Sequence, residues 1–296
     1  MTRGAPPRRL VYLGTPEIAV PPLRALVDAG FEIARVVTRA DKRRGRGSAL
    51  LPSAVKAAAL DLGLPVSHAV DDVLGVGAEL GVVVAFGRLI KPHVLDAVPM
   101  INMHFSLLPR WRGAAPVERA LLAGDAETGV CLMKLEEGLD TGPVYRREIV
   151  HIGSSTTASE LRARLVGIGT RILVEELRAG LGQPIAQDRE PSYAAKIQPE
   201  ELHIDWSRSP VVIDRLVRVG GAWTMFHGRR LKIVRAEVVD ADAPSTDALT
   251  GDRVGGLRLL EVQPEGKAPM QFEAFARGAR LAEVEHLGEP SIVGGR

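Results

Sequence analysis

Asn102 and His104 stand two positions apart at the end of an apolar run. They are followed at once by Ser106-Leu107-Leu108-Pro109, and an acid, Asp140, is framed by glycines in Gly138-Leu139-Asp140-Thr141-Gly142. An amide, an imidazole and a carboxylate can hold a small carbonyl, donate hydrogen bonds to the charge that grows on its oxygen, and manage the proton of an attacking amine. Residues 98–104 read as a short strand, so Asn102 and His104 share one face while Met103 points to the other and packs. In open parallel sheets ligands bind beyond the carboxyl ends of strands, and both residues lie at such an end, just before the chain turns. Gly138 and Gly142 allow a tight backbone path around Asp140. Plainer readings exist for each residue taken singly. A polar side chain at a strand end often only completes a local hydrogen bond, and an Asp between glycines is often a turn former; spacing alone does not separate these.

The elements that must position these groups alternate along the first two-thirds of the chain. Residues 10–13 read as a buried strand closed by Gly14-Thr15-Pro16, followed by a helix that Gly30 stops. Residues 33–38 form a second strand, and residues 52–62 a helix opened by Pro52 and closed by Gly63. The continuous apolar run 82–86 suits the middle of a parallel sheet. Residues 116–123 make a short helix ended by Gly124, and residues 130–135 and 144–152 are strands that could pair antiparallel. Thr157-x-x-Glu160 opens a longer helix whose Leu161, Leu165, Ile168, Ile172, Leu173 and Leu177 form a core-facing stripe. This alternation implies a doubly wound α/β sheet. Its first turn, Gly14-Thr15-Pro16-Glu17, lacks both the glycine fingerprint of dinucleotide sites and the lysine of a phosphate loop, which disfavours those ligands.

Composition narrows the function classes. The chain has 296 residues, is 46% hydrophobic and carries a formal charge of +2, so a sizeable core is available and no global field commits it to nucleic acid. A single cysteine, Cys131 in an apolar run, excludes an intramolecular disulfide framework and reads as a buried hydrophobe. The seven histidines show no metal-ligand spacing, and no Gly-x-Ser-x-Gly elbow is present. No signal-type segment and no uncharged run of about 18 residues occurs, so a cytoplasmic protein without a membrane span is expected.

Two basic regions stand out. Between residues 38 and 52 lies Arg39-Ala40-Asp41-Lys42-Arg43-Arg44-Gly45-Arg46-Gly47-Ser48, longer than the usual strand-to-helix loop. It is either solvated surface or a phosphate-binding arm, and it leaves the sheet at the edge where Asn102 and His104 should lie. After residue 183 the alternation stops: prolines recur and polarity rises, so residues 184–204 read as a linker between a catalytic domain at 1–183 and a second domain at 205–296. Short β-like runs at 231–234, 236–239, 257–262 and 272–276 suggest a small β-barrel. Its segment Gly228-Arg229-Arg230-Leu231-Lys232 is cationic, which fits a nucleic-acid grip or a solvated edge strand equally.

The block Asn102-x-His104-x-Ser106-Leu107-Leu108-Pro109, continued by Trp111-Arg112-Gly113-Ala114-Ala115-Pro116, resembles the folate-dependent formyltransferases. Further family-like blocks are Gly14-Thr15-Pro16, Val84-Ala85-Phe86-Gly87, Gly124-Asp125-Ala126-Glu127-Thr128-Gly129, Gly138 through Gly142, and Ile204-Asp205-Trp206. Phe105 departs from the Gly or Ala that many members carry there. The resemblance implies a formyltransferase-type, Rossmann-like α/β domain followed by an OB-like barrel. It also implies transfer of the formyl group of 10-formyltetrahydrofolate, as co-substrate and without a metal, to an amine. The Trp-Arg-Gly-Ala-Ala-Pro block and the basic loop resemble members whose acceptor is methionyl-initiator tRNA.

By that resemblance Asn102, His104 and Asp140 are the catalytic trio, with Asn102 and a protonated His104 donating to the formyl oxygen while Asp140 holds the imidazole. Phe86, Gly87, Ser106, Leu107, Leu108 and Pro109 would form the folate pocket. Lys42, Arg43, Arg44 and Arg46 would meet the tRNA acceptor end, and Arg229, Arg230 and Lys232 its flank. A monomer is expected. A sugar-nucleotide N-formyltransferase and a 10-formyltetrahydrofolate hydrolase share the same chemistry and remain the alternatives.

Overall fold

Leu10, Val11, Tyr12 and Leu13 are fully buried at the centre of strand β1 (Arg9–Gly14), in a computed structural model that describes residues 3–43 and 50–288. From β1 the chain passes through α1 (Val20–Asp28) to β2 (Glu32–Val37) and then to a two-residue ladder of β3 (Lys42–Arg43) and β4 (Leu50–Leu51). It continues through α2 (Ala54–Asp61), β5 (Val66–Ser67), β6 (Leu80–Val84), α3 (Pro92–Ala97), β7 (Met100–His104) and β8 (Arg112–Gly113). Then come α4 (Pro116–Ala123), β9 (Glu127–Lys134), β10 (Val144–His151), α5 (Ala158–Ala179) and β11 (Tyr193–Ala194).

The main sheet runs β10-β9-β7-β6-β1-β2-β5. The five strands from β7 to β5 are parallel, and β9 and β10 add antiparallel pairs at one edge. The order reverses beside β1: β2 and β5 build outward on one side, β6 and β7 on the other. That reversal is the doubly wound topology, and it opens a crevice at the carboxyl ends of β1 and β6. Every residue of β6 is buried, as a strand covered on both faces requires. The strand stops at Val84 rather than at residue 86 because Ala85 and Gly87 take positive φ (45° and 71°), which no strand tolerates, so Phe86 lies in the loop.

Met103 does point to the opposite face of β7 from its polar neighbours. It packs on α5 where Gly169 leaves room: a Cβ on that glycine would sit 2.4 Å from the Met103 sulfur. Helix α5 starts with a completed capping box, Thr157 N–H donating to Glu160 Oε2 at 2.9 Å and Glu160 N–H to Thr157 Oγ1 at 3.3 Å. Cys131 is fully buried, and burial pushes its thiol up to about 11, against the pull of Arg147. It is a packing residue with little thiolate character at neutral pH.

The chain divides into two compact units. One comprises Met1–Val117, Glu127–His151 and Arg162–Ala195, the other Glu118–Ala126, Ile152–Leu161 and Lys196–Arg296. Residues 184–195, expected to belong to a linker, lie in the first unit. Ile185 exchanges backbone hydrogen bonds with Val144 (2.7 and 2.8 Å), and β11 pairs in parallel with β8. An extended chain can complete a sheet edge with backbone groups alone, so proline-rich, polar sequence gave no periodic sign of this.

The second unit adds α6 (Pro210–Val219), β12 (Trp223–Phe226), β13 (Arg229–Val238), β14 (Ala248–Thr250), β15 (Arg253–Val254), β16 (Leu257–Pro264), β17 (Met270–Gln271), α7 (Phe272–Ala279) and β18 (Glu285–His286). Its antiparallel sheet runs β12-β13-β16-β15-β14-β18, with β17 on β16. The sheet curls: Gly288 N–H, just past β18, donates to the Met225 carbonyl of β12 at 2.9 Å, so the two end strands meet as a barrel requires. Its interior holds Trp206, Phe226, Leu231, Ile233, Leu257, Val262 and Phe272. The run 272–276 is helix α7 and not a strand: Phe272, Phe275, Ala276 and Ala279 recur at three- and four-residue intervals and pack on that core. Among the described residues no helix is long and apolar enough to cross a membrane, and no group of three His, Cys, Asp or Glu could hold a metal ion.

Candidate active site

Asn102 and His104 lie side by side in register on β7, at the carboxyl end where β6 and β7 run parallel. His104 is 5% exposed. Its Nε2 lies 2.9 Å from the Trp111 carbonyl oxygen; a carbonyl only accepts, so Nε2 carries a hydrogen. That carbonyl is turned inward because Trp111 adopts φ +62° and its own N–H is taken by Ser192 Oγ at 2.9 Å. The other ring nitrogen, Nδ1, faces Asp140 Oδ2 at 3.6 Å, within ion-pair reach but longer than an ordinary hydrogen bond.

Asp140 thus converges on the same point as the two β7 residues, although 38 positions separate it from Asn102. Its Oδ2 accepts the Gly113 N–H at 2.8 Å, and its Oδ1 accepts from Asn102 Nδ2 at 3.4 Å. The residue sits at φ +51°, a left-handed conformation that Asp tolerates better than most. Gly142 cannot be replaced without displacing the backbone, since a Cβ there would lie 1.9 Å from the Lys134 carbonyl oxygen. Gln187 closes the loop: its Nε2 donates to the Asp140 and Gly142 carbonyls, both at 2.8 Å, while its Oε1 accepts from Arg112 Nε (3.1 Å) and Nη2 (2.6 Å). Gln187, Ser192 and the Trp111 carbonyl were not expected from the sequence. Two of them fall in the stretch read as linker, and the third acts through its backbone.

The turn after β7 is packed more tightly than a ligand-facing loop would suggest. Ser106 is fully buried and its hydroxyl donates to the Arg110 carbonyl at 2.5 Å. Leu108 is buried in a cluster with Cys131, Met133 and Val144, and Pro109 is buried beside it. Leu107 is partly exposed and lies against Gly129 of β9. Phe105, the bulky departure, is buried at 7% exposure. Phe86 is also buried, and its carbonyl accepts from Thr15 Oγ1 at 3.4 Å. Gly87 takes φ +71° in the loop that follows β6.

The basic loop begins at the carboxyl end of β2, on the same sheet edge. Its root is tied down. Thr38 and Ser53 share a buried hydroxyl hydrogen bond of 2.7 Å, and Lys56 Nζ holds both Asp41 oxygens at 2.8 Å. Lys42 and Arg43 are exposed on β3. Arg44 and Arg46 lie outside the described residues. In the second unit Arg229 and Arg230 are exposed on β13, with Lys232 half-buried between the inward Leu231 and Ile233. The Arg230 guanidinium lies over the Trp223 ring at 4.0 Å, and that ring meets the His203 imidazole at 4.4 Å. A cation stacked on an indole beside an imidazole offers both charge and π surface.

Comparison with known proteins agrees along nearly the full length. Residues 8–177 match the family model described as formyl transferase, and residues 196–280 match the model described as formyl transferase, C-terminal domain. The chain is 42% identical to a methionyl-tRNA formyltransferase of Roseobacter denitrificans, covering 93% of this chain and 97% of that one. It is also 42% identical to that of Heliobacterium modesticaldum, covering 95% and 100%. Among solved structures, a methionyl-tRNA formyltransferase from Clostridium thermocellum superposes with a TM-score of 0.60 at 14% identity, over 85% of this chain and 98% of that one. An N-formyltransferase from Helicobacter canadensis, in complex with folinic acid and dTDP-3-aminofucose, superposes with a TM-score of 0.66 at 17% identity, over 87% and 99%. At those identities the structural likeness establishes the fold alone, and the backbone does not distinguish one acceptor from another.

Proposed function

The chain belongs to the formyl transferase family, and from that premise we propose that it is an enzyme moving the formyl group of 10-formyltetrahydrofolate to the α-amine of methionyl-initiator tRNA, giving N-formylmethionyl-tRNA for translation initiation. The convergence of Asn102, His104 and Asp140 at the carboxyl end of β7 carries the chemistry. The acceptor rests on 42% identity to relatives named for that reaction, over more than nine-tenths of the chain.

The neutral amine attacks the formyl carbon, a C–N bond forms, and negative charge moves to the formyl oxygen. Asn102 Nδ2 donates to that oxygen with the hydrogen that Asp140 does not engage. His104 Nε2–H contributes by sharing or exchanging its Trp111 carbonyl partner for the substrate. One such donor is typically worth about 3 to 4 kcal/mol in the transition state. Asp140, held by the Gly113 N–H, orients the imidazole and takes up, through a water, the proton lost by the amine. When the intermediate collapses the bond to N10 breaks and tetrahydrofolate leaves with a proton on that nitrogen. The scheme needs neither a metal nor a covalent enzyme intermediate.

The folate lies against Phe86, Gly87 and the 106–109 turn. Because Ser106, Leu108 and Pro109 are buried, their part is through the backbone, with Leu107 supplying side-chain surface. Lys42, Arg43, Arg44 and Arg46 neutralise phosphates of the tRNA acceptor end, while Arg229, Arg230 and Lys232 hold its flank. The enzyme acts in the cytoplasm, where charged tRNA is used, and as a monomer, every proposed catalytic group coming from one chain.

Labelled 10-formyltetrahydrofolate supplied with charged initiator tRNA, with an amino-sugar nucleotide, or with water alone decides the acceptor. Label is expected on the methionyl amine. Label on the sugar, or released as formate at a comparable rate, would replace this reading by an N-formyltransferase for sugars or a hydrolase.

A further inference from the structure

We propose that Gln187 is a positioning residue for formyl transfer: its side-chain amide locks the Asp140 loop to the Arg112-Gly113 strand and so sets where the Asp140 carboxylate stands against His104. The proposal rests on the catalytic reading of Asp140 given above. Gln187 is half-buried while Ala186 and Asp188, on either side, are exposed, so this one side chain turns inward from a surface segment. Both amide hydrogens are given to backbone carbonyls, those of Asp140 and Gly142, and both lone pairs of Oε1 are taken by Arg112. The hydrogen-bonding capacity of the amide is used completely. The arrangement also fixes which end is oxygen: turned over, the group would set its NH2 against a guanidinium and its oxygen against two carbonyls.

The three segments so joined are the ones that place the carboxylate. Asp140 is held at φ +51°, a conformation its backbone would not keep by preference. Gly113, next to Arg112, supplies the N–H that Asp140 Oδ2 accepts at 2.8 Å. The strand that carries Arg112 and Gly113 is paired with Tyr193 and Ala194, on the same surface segment as Gln187. Gln187 therefore touches the main chain of the acid on one side and the neighbour of the acid's hydrogen-bond donor on the other. Loss of the amide frees the loop to move relative to His104 without removing any group that meets substrate. Displacements of about 1 Å at a reacting centre can cost about a hundredfold in rate.

The test compares full-length wild type with Gln187→Met, which keeps length and volume but has no amide. Gln187→Glu keeps the acceptor toward Arg112 and loses both donors, and it is the second variant should the first not fold. Each is measured alone and with Asp140→Asn, under steady-state conditions and after the folded fraction has been determined by circular dichroism.

The expected result is a fall in kcat of about tenfold or more for both variants, with KM for folate and for the formyl acceptor within about twofold of wild type. In the Asp140→Asn background the same substitutions should lower kcat by less than about twofold, because the residue they act through is already disabled. Wild-type kcat in either folded variant, a change in KM alone, an undiminished loss in the Asp140→Asn background, or a loss that only tracks unfolded protein would each overturn the proposal. The acceptor used is whichever one wild type formylates. A failure of the tRNA reading therefore shows in wild type, and a failure of the clamp shows only in the variants.

Discussion

Asn102 and His104 owe their partnership to strand geometry: two positions apart on β7, they must share a face, and the parallel sheet brings that face to an open edge. Nothing local brings Asp140 to them. Its carboxylate arrives because the loop after β9 folds back onto β8, where the Gly113 N–H receives it. If the trio acts as proposed, Asn102→Ala and His104→Ala each lower kcat by about a hundred- to a thousandfold, the loss typical of an oxyanion donor, while KM for charged tRNA stays near wild type. Steady-state kinetics in tRNA decide this, and near-normal turnover in either variant removes that residue from the mechanism. The motif made these three residues readable in the sequence. The Trp111 carbonyl and the Gln187 amide were not, since one is a backbone group and the other sits among prolines with no periodicity around it.

The elements divide by how local their causes are. Helix α5 carries its own start signal in Thr157 and Glu160, so it was readable, yet two of its glycines differ in a way that only packing reveals. Gly167 faces open space, whereas Gly169 receives Met103 of β7. Gly167→Ala should raise stability by about 0.5 to 1 kcal/mol, the usual gain from removing a helix-interior glycine. Gly169→Leu should lower it by about 1 to 3 kcal/mol through overpacking against Met103 and Val130. Urea titration of the two variants measures both, and a neutral Gly169→Leu would show that the sheet and α5 can separate at no cost.

The basic loop belongs to this scale as well. Its root is tied through Thr38–Ser53 and Asp41–Lys56. Neutralising Arg44 and Arg46 should raise KM for tRNA and reduce the slope of log affinity against log salt by about one per lost phosphate contact. An unchanged slope would leave the loop as solvated surface. Helix α7 shows the opposite limit of local reading: the short Phe-Glu-Ala-Phe-Ala run at 272–276 suggested a strand, and its two-phenylalanine face packed as a helix instead.

At the scale of the whole molecule the boundary between units lies later than composition suggests. Residues 184–195 add a bridge to Val144, a ladder to β8 and the Gln187 clamp, all within the first unit. A chain ended at Ala195 should therefore melt higher than one ended at Gln183, by on the order of 5 °C or more, since 1 kcal/mol moves a domain of this size by about 2 to 4 °C. Equal melting temperatures by calorimetry would mean that the segment is held without contributing stability.

The sequence by itself determined what recurs at short range: the buried β strands, the alternation that winds the sheet, the capped α5, and the presence of an amide, an imidazole and an acid in a family block. These follow from periodicity and from residue chemistry, which act over a few neighbours. The tertiary structure alone decided how far the acid stands from the ring, which carbonyl holds Nε2, and that a proline-rich segment pairs with β8 and hydrogen-bonds the Asp140 loop. Each of those has a backbone group as at least one partner, on a segment remote along the chain, and every residue but proline offers the same N–H and C=O, so the order of the residues bears almost no mark of which one is used.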